Sequence, residues 1–310
     1  MAESPSGTTS GGAPVAVSDE MFAPVSPGVE LCYQTFGDPD GDPLLLVMGL
    51  SGPMTWWDPE LCAALVQRGF FVIRFDNRDT GRSTKIGGAV RRVDLVRAFA
   101  GRGRRPPYTL SDMATDAIGL LDHLGLASAH VAGVSMGGMI AQTIAIEHPG
   151  RVRSLTSISS TTGRRSVGWQ HPRLLPVLIA PRGPGRTAYA ETSARTWSMI
   201  GSPAYRQGHA EVLRRAEETW DRGFSANGVM RQMLAILAQP DRGPRLRNLT
   251  VPALVLHGDS DKMVHLSGGR ATAAAIPGAE LVVVPGMGHD LPRPLYGDFA
   301  DAIRRTADRA

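Results

Sequence analysis

The residues best suited to do chemistry sit at three separated points in the chain. Gly133-Val134-Ser135-Met136-Gly137 follows the pattern G-x-S-x-G. The bare pattern is weak, but its setting is specific: it follows the apolar run His130-Val131-Ala132 and opens a helical stretch, Met139 to Ala145. A strand–turn–helix junction of this kind holds a serine hydroxyl on a tight turn. Gly133 and Gly137 relieve the crowding of strand against helix, and the helix N-terminus adds partial positive charge. The plain alternative is a glycine-rich turn whose serine only caps the helix. A serine hydroxyl is a poor nucleophile without a base to take its proton. Of the eight histidines, His289 is the best placed. It lies in Pro285-Gly286-Met287-Gly288-His289-Asp290, directly after an apolar run, where flanking glycines let the loop fold back. His265 is the second choice.

The base needs a carboxylate to fix its tautomer and stabilise its cation. The apolar run Leu254-Val255-Leu256-His257 continues into Gly258-Asp259-Ser260-Asp261. Asp261 is the first candidate and Asp259 the next; one of the pair is expected to do no more than stabilise the turn. Another common place for the acid is the loop after Arg153–Ser159, which reads Ser160-Thr161-Thr162-Gly163 and holds no carboxylate. The developing oxyanion needs donors. The backbone N–H of Met136 is one, and the N–H of Leu50, in Gly49-Leu50-Ser51-Gly52, is the expected second. Trp56, Trp57, Met54 and Met139 are candidates to line a pocket, with ordinary core packing as the competing reading. The chemistry implied is acyl transfer on a small, hydrophobic carboxylic ester. It would run through an acyl-enzyme intermediate and need no metal or organic cofactor.

Such a site requires elements that bring distant loops together. Short apolar runs alternate with helical patterns: Glu30–Phe36, Leu44–Met48, Phe70–Phe75, Ala129–Val134, Arg153–Ser159, Ala253–His257 and Leu281–Val284 read as strands. Met54–Arg68, a helix opened by Thr109 and closed by Gly125, Met136–His148, Ser267–Ala275 and Tyr296–Asp308 read as helices. This alternation predicts an α/β fold, a mostly parallel sheet with helices on both faces. The chain therefore divides into a core over residues 26–159 and 251–310 and a helical stretch over 160–250 with no convincing strand. That stretch reads as a lid over the site, with an interaction module as the alternative. Residues 1–25, rich in Ser, Gly, Thr, Ala and Pro, read as a disordered tail, with order beginning near Gly28.

Composition excludes several classes. With 310 residues, 42% hydrophobic and 20% charged, the chain is long enough to bury a sizeable core. No apolar run is long enough to cross a membrane. Two cysteines, Cys32 and Cys62, cannot build a disulfide framework, so a reduced, cytoplasmic setting is the simplest expectation. The net charge of +4 is unevenly spread. Nine acidic residues and no Lys or Arg precede Arg68, and Lys85 and Lys262 are the only lysines. The clusters at Arg91-Arg92 and Arg102–Arg105 lack interleaved aromatics, so no nucleic-acid partner is expected. Oligomeric state leaves no trace in the sequence.

Three stretches carry a resemblance to the α/β-hydrolase superfamily, in particular to the branch of aclacinomycin methylesterase and the proline-iminopeptidase-like hydrolases. They are Arg74-Phe75-Asp76-Asn77-Arg78-Asp79-Thr80-Gly81-Arg82-Ser83, Gly133 to Gly138, and Pro285 to Pro292. The resemblance runs from about Gly28 to the C-terminal helix. It implies an eight-stranded sheet, with Ser135 as nucleophile, Asp261 as acid and His289 as base, in that chain order. The sequence departs from the pattern in two places: Met48 stands where many relatives carry His, and the Gly-Gly-Pro stretch of the iminopeptidases is absent. Ser135 also excludes the aspartate nucleophile of the dehalogenases. Two other readings use the same framework: a cofactor-free perhydrolase of the haloperoxidase type, and a ligand-binding protein with little turnover.

Overall fold

The computed structural model describes residues 15–103, 105–174 and 185–310. Eight strands form one sheet: β1 (Met21–Ser26), β2 (Val29–Phe36), β3 (Asp42–Val47), β4 (Phe70–Phe75), β5 (Ala129–Val134), β6 (Val152–Ile158), β7 (Ala253–Gly258) and β8 (Glu280–Val284). Their order across the sheet is β1-β2-β4-β3-β5-β6-β7-β8. The pairs β1/β2 and β2/β4 are antiparallel, and every later pair is parallel. The helices are α1 (Pro59–Val66), α2 (Arg92–Phe99), α3 (Leu110–His123), α4 (Met136–Glu147), α5 (Arg186–Ile200), α6 (His209–Asp221), α7 (Ala226–Ala238), α8 (Gly243–Leu246), α9 (Ser267–Ala275) and α10 (Tyr296–Ala307).

The continuous apolar runs are explained by burial on both sheet faces. In β3, Leu45 and Val47 pack towards α3 and α4, while Leu44 and Leu46 pack towards α1 and α10. Strand β4 divides in the same way, Phe71, Ile73 and Phe75 to one face and Phe70 and Val72 to the other. This period-2 split is what a strand covered on both sides requires. Each such fully buried side chain contributes about 1.5–3 kcal/mol. Helix α3 is capped as its sequence suggests: the Thr109 hydroxyl accepts from Asp112 N–H at 3.2 Å, and Asp112 accepts from Thr109 N–H at 2.7 Å.

Order begins earlier than Gly28. Residues 21–26 form β1, and Val17 bridges to Phe36. Pro27-Gly28 is the turn of a hairpin, with Gly28 at φ 75°, and Ala23 is buried. Residues 1–14 of the expected tail lie outside the described residues. The helix expected over Met54–Arg68 is two elements, a 3-10 turn at Met54–Trp56 and then α1, because Asp58 caps a new start by accepting from Glu60 N–H at 2.8 Å. Helix α2 had no counterpart in the sequence reading. Both cysteines are buried and unpaired. Among the described residues, no helix is long and apolar enough to cross a membrane.

The segment between β6 and β7 carries α5 to α8 and is fastened to the sheet through buried charge. Arg231 on α7 makes two bonds to the Asp79 carboxylate, at 2.7 and 2.8 Å, and the Tyr108 hydroxyl donates to Asp79 at 2.6 Å. Arg222, after α6, lies 2.9 Å from Asp76 and 2.6 Å from Glu20. The stretch Asp76–Arg82 is thus a hub joining β4 to the helical segment. Asp76 also accepts from the N–H groups of Met54 and Arg82, at 2.7 and 2.9 Å.

Candidate active site

Parallel strands place their carboxyl ends along one edge, and three loops at that edge meet. Ser135 ends β5, Asp261 follows β7, and His289 follows β8. His289 Nε2 lies 3.0 Å from Ser135 Oγ, and His289 Nδ1 lies 2.7 Å from Asp261 Oδ2. The other Asp261 oxygen accepts from the N–H groups of Met263 and Val264, at 2.8 and 2.9 Å. Burial pushes the Asp261 carboxyl up, but the His289 charge and hydrogen bond, His257 and the Val264 N–H outweigh it and leave its pKa below the ordinary value. An ionised Asp261 accepts from His289 Nδ1–H. That leaves Nε2 free to accept the Ser135 hydroxyl proton.

Ser135 sits at φ 57° and ψ −119°, a conformation that side chains avoid. Its N–H donates to the Ile158 carbonyl at 2.9 Å, and its carbonyl accepts from the Ser160 hydroxyl at 2.8 Å. The neighbouring glycines are required by close approach. A Cβ at Gly133 would lie 2.1 Å from the Gly137 carbonyl oxygen, and one at Gly137 would lie 2.0 Å from that of Val47. The Met136 N–H is at the first position of α4, where a helix supplies no acceptor. Leu50 lies in a turn closed by Gly52 N–H to the Gly49 carbonyl at 3.2 Å, beside Ser135. The Gln232 side chain accepts from Ser51 N–H at 2.9 Å and donates to the Arg78 carbonyl and the Thr80 hydroxyl, both at 2.9 Å. Asn77 donates to the Met48 carbonyl at 3.0 Å.

The second-choice residues are occupied elsewhere. His265 bonds Ser267 at 3.0 Å and stacks on Trp169. Asp259 accepts from Gly286 N–H at 2.8 Å, so it shapes the loop that carries His289. That loop is also tied to the helical segment. His289 N–H donates to the Ile200 carbonyl at 2.7 Å; Asp290 accepts from Ser202 N–H and hydroxyl at 2.8 and 2.6 Å; and Gly288 N–H donates to the Ser202 hydroxyl at 2.8 Å.

Ser135 and His289 open into a cavity of about 1150 Å³. Leu50, Trp56 and Met139 line it, together with Trp197 of α5, Arg215 of α6 and Val229 of α7. Trp57 does not. It is fully buried between α1 and the sheet, because the 3-10 turn aims residues 56 and 57 in different directions. Met54 is likewise fully buried. Gln232, Asn77, Ser160 and Ser202 brace the loops of the site without forming part of any pattern that marks them as doing so. Each acts through a partner distant in sequence, and only Asn77, inside a motif already singled out, left any signal.

Comparison with known proteins gives the family of the chain. A family model described as the alpha/beta hydrolase fold matches residues 42–292. The chain belongs to this family. It is 29% identical over 299 residues to the protein named rhodomycin D methylesterase DnrP of Streptomyces peucetius, covering 89% of this chain and 94% of that one. It is 28% identical over 244 residues to 3-oxoadipate enol-lactonase 2 of Acinetobacter baylyi, covering 78% and 80%. Among solved structures, a hydrolase from Pseudomonas aeruginosa PA01 superposes with a TM-score of 0.69 at 26% identity, covering 93% of this chain and 96% of that one.

Proposed function

We propose that this protein is a carboxylic ester hydrolase that works through Ser135, His289 and Asp261. The reading rests on one observation: a single imidazole stands 3.0 Å from the Ser135 hydroxyl and 2.7 Å from the Asp261 carboxylate. Similarity to proteins named as a methylesterase and an enol-lactonase supports it. Ser135 Oγ attacks the ester carbonyl carbon as His289 Nε2 takes its proton. The N–H groups of Met136 and Leu50 hold the oxyanion. Loss of one such donor costs about 10² to 10³ in rate. The intermediate collapses, and the leaving alkoxide receives the proton from His289. Water then attacks the acyl-enzyme, His289 takes its proton, and the carboxylic acid leaves as Ser135 recovers its hydrogen. Asp261 stays ionised throughout and steadies the imidazolium.

The helical segment over α5 to α7 acts as the lid of the site, and Trp197, Ile200, Val229 and Ile236 give it apolar surface that suits a substrate with a hydrophobic body, beside the charged Glu211, Arg214 and Arg215. The test is a serine-reactive fluorophosphonate probe, run beside p-nitrophenyl esters of graded chain length and methyl esters of aromatic acids. Wild type labels and hydrolyses; Ser135→Ala does neither, with kcat lower by about 10⁴ or more. Labelling that survives in Ser135→Ala sinks the assignment. A folded wild type that never labels points to a ligand-binding protein, and peroxide-dependent halogenation outpacing hydrolysis points to a perhydrolase.

A further inference from the structure

Among the described residues, the buried arginines have hydrogen-bond partners for their guanidinium groups. Arg78 bonds Asp116, Arg222 bonds Glu20 and Asp76, Arg231 bonds Asp79, and Arg242 bonds Gln142 and the Thr161 carbonyl. Arg215 on α6, half-buried as a residue, breaks this pattern. Its Nη2 is fully buried with no hydrogen-bond partner, and among the described residues its guanidinium makes no ion pair. It lines the cavity that contains Ser135 and His289. Trp56 and Trp197 hold it, its central carbon lying 5.3 Å and 4.6 Å from their ring centroids. Trp56 is fixed in turn, its indole N–H donating to the Thr219 hydroxyl at 2.9 Å. Asp290 and Glu211 are near enough to favour the charge, against a larger effect of burial that disfavours it. Neither forms an ion pair with Arg215, and Asp290 is already bonded to Ser202.

A cation taken out of water without a counter-ion is costly, and a buried donor left open in a native chain calls for an explanation. Two indole faces orient the guanidinium and partly compensate its lost water, but they leave Nη2 without a hydrogen-bond partner. The N–H fork of a guanidinium matches the geometry of a carboxylate. We propose that Arg215 is the specificity residue of this site, and that the natural substrate is an ester carrying a free carboxylate, which Arg215 grips while Ser135 attacks the ester carbonyl. The inference rests on the hydrolase reading above, since it names the substrate class of that same cavity.

The proposal is tested with a matched pair: mono-p-nitrophenyl glutarate, which presents a carboxylate at the far end of the acyl chain, and neutral p-nitrophenyl hexanoate. Wild type should favour the anionic ester in kcat/KM. Arg215→Gln should lower the ratio of anionic to neutral kcat/KM by about tenfold or more, with Arg215→Lys in between. A binding measurement needs no turnover. Monomethyl glutarate should raise the Tm of the Ser135→Ala protein more than dimethyl glutarate does, and the difference should vanish when Arg215→Gln is added. A wild type that treats both esters alike, or equal thermal shifts from both glutarates, overturns the proposal even if Arg215→Gln does not fold. Failure of fluorophosphonate labelling alongside a selective thermal shift would instead overturn the hydrolase reading and leave the carboxylate site standing.

Discussion

Ser135 is held in a backbone conformation that costs about 1–3 kcal/mol for a residue with a side chain. What sustains it is steric: no Cβ fits at Gly133 or Gly137. Gly137→Ala should therefore displace the turn against the Val47 carbonyl. Because a misplacement of about 1 Å at a reacting centre can cost 10²-fold, kcat/KM for any ester turned over should fall by about that factor, as steady-state kinetics would read. Asp261→Asn tests a different property. The amide presents an N–H or a neutral oxygen to His289 and favours the wrong tautomer, so kcat should drop by about 10⁴ with little change in the circular dichroism spectrum. A loss under tenfold would mean that Asp261 only shapes its loop. At this scale the sequence was highly informative, because G-x-S-x-G, Gly-Met-Gly-His and Gly-Asp-Ser-Asp each stand at the end of an apolar run. Trp57 was not legible: adjacent tryptophans in a short turn give no periodicity from which to tell the wall of a cavity from the core.

The elements of the site depend on one another through contacts that skip most of the chain. Gln232 on α7 accepts from Ser51 N–H beside Leu50, at a sequence distance of 181 residues. Gln232→Leu leaves that N–H without its partner and loosens the turn, so kcat should fall about tenfold with KM nearly constant. A proportional rise in KM instead would assign Gln232 to substrate binding. Arg231→Leu strands the Asp79 carboxylate in the interior. Breaking a buried pair this way costs about 3–5 kcal/mol, readable as a shift of the urea midpoint, and adding Asp79→Asn should recover part of it. These contacts explain what remained hidden in the sequence. Strands β4 and β5 were legible to the residue because both faces are apolar, whereas β1 hides in a Pro- and Ser-rich stretch, and its hairpin partner decides its state. Helix α2 leaves Val96 and Phe99 exposed, so it shows no apolar stripe facing the core.

For the whole molecule, buried histidines contribute to how stability depends on acidity. Burial drives the His130 pKa down to about 4 from an ordinary value of 6.5, and burial also lowers that of His257. The unfolded chain takes up protons below about pH 6.5 that the folded His130 refuses until about pH 4. Stability from this source is therefore fully present above pH 6.5 and is lost as pH falls towards 4. The Tm by calorimetry should decline across that window, and His130→Gln should flatten part of the decline; a slope unchanged by that substitution would count against the assignment. The bonds from Ile200 and Ser202 to the loop of His289 carry a consequence for traffic. Swinging the helices aside would drag the imidazole off the hydroxyl, so an opened molecule would be inert. Phe99 and Trp169, both exposed and both lining the same chamber, mark a side on which it meets solvent without any shift of those helices.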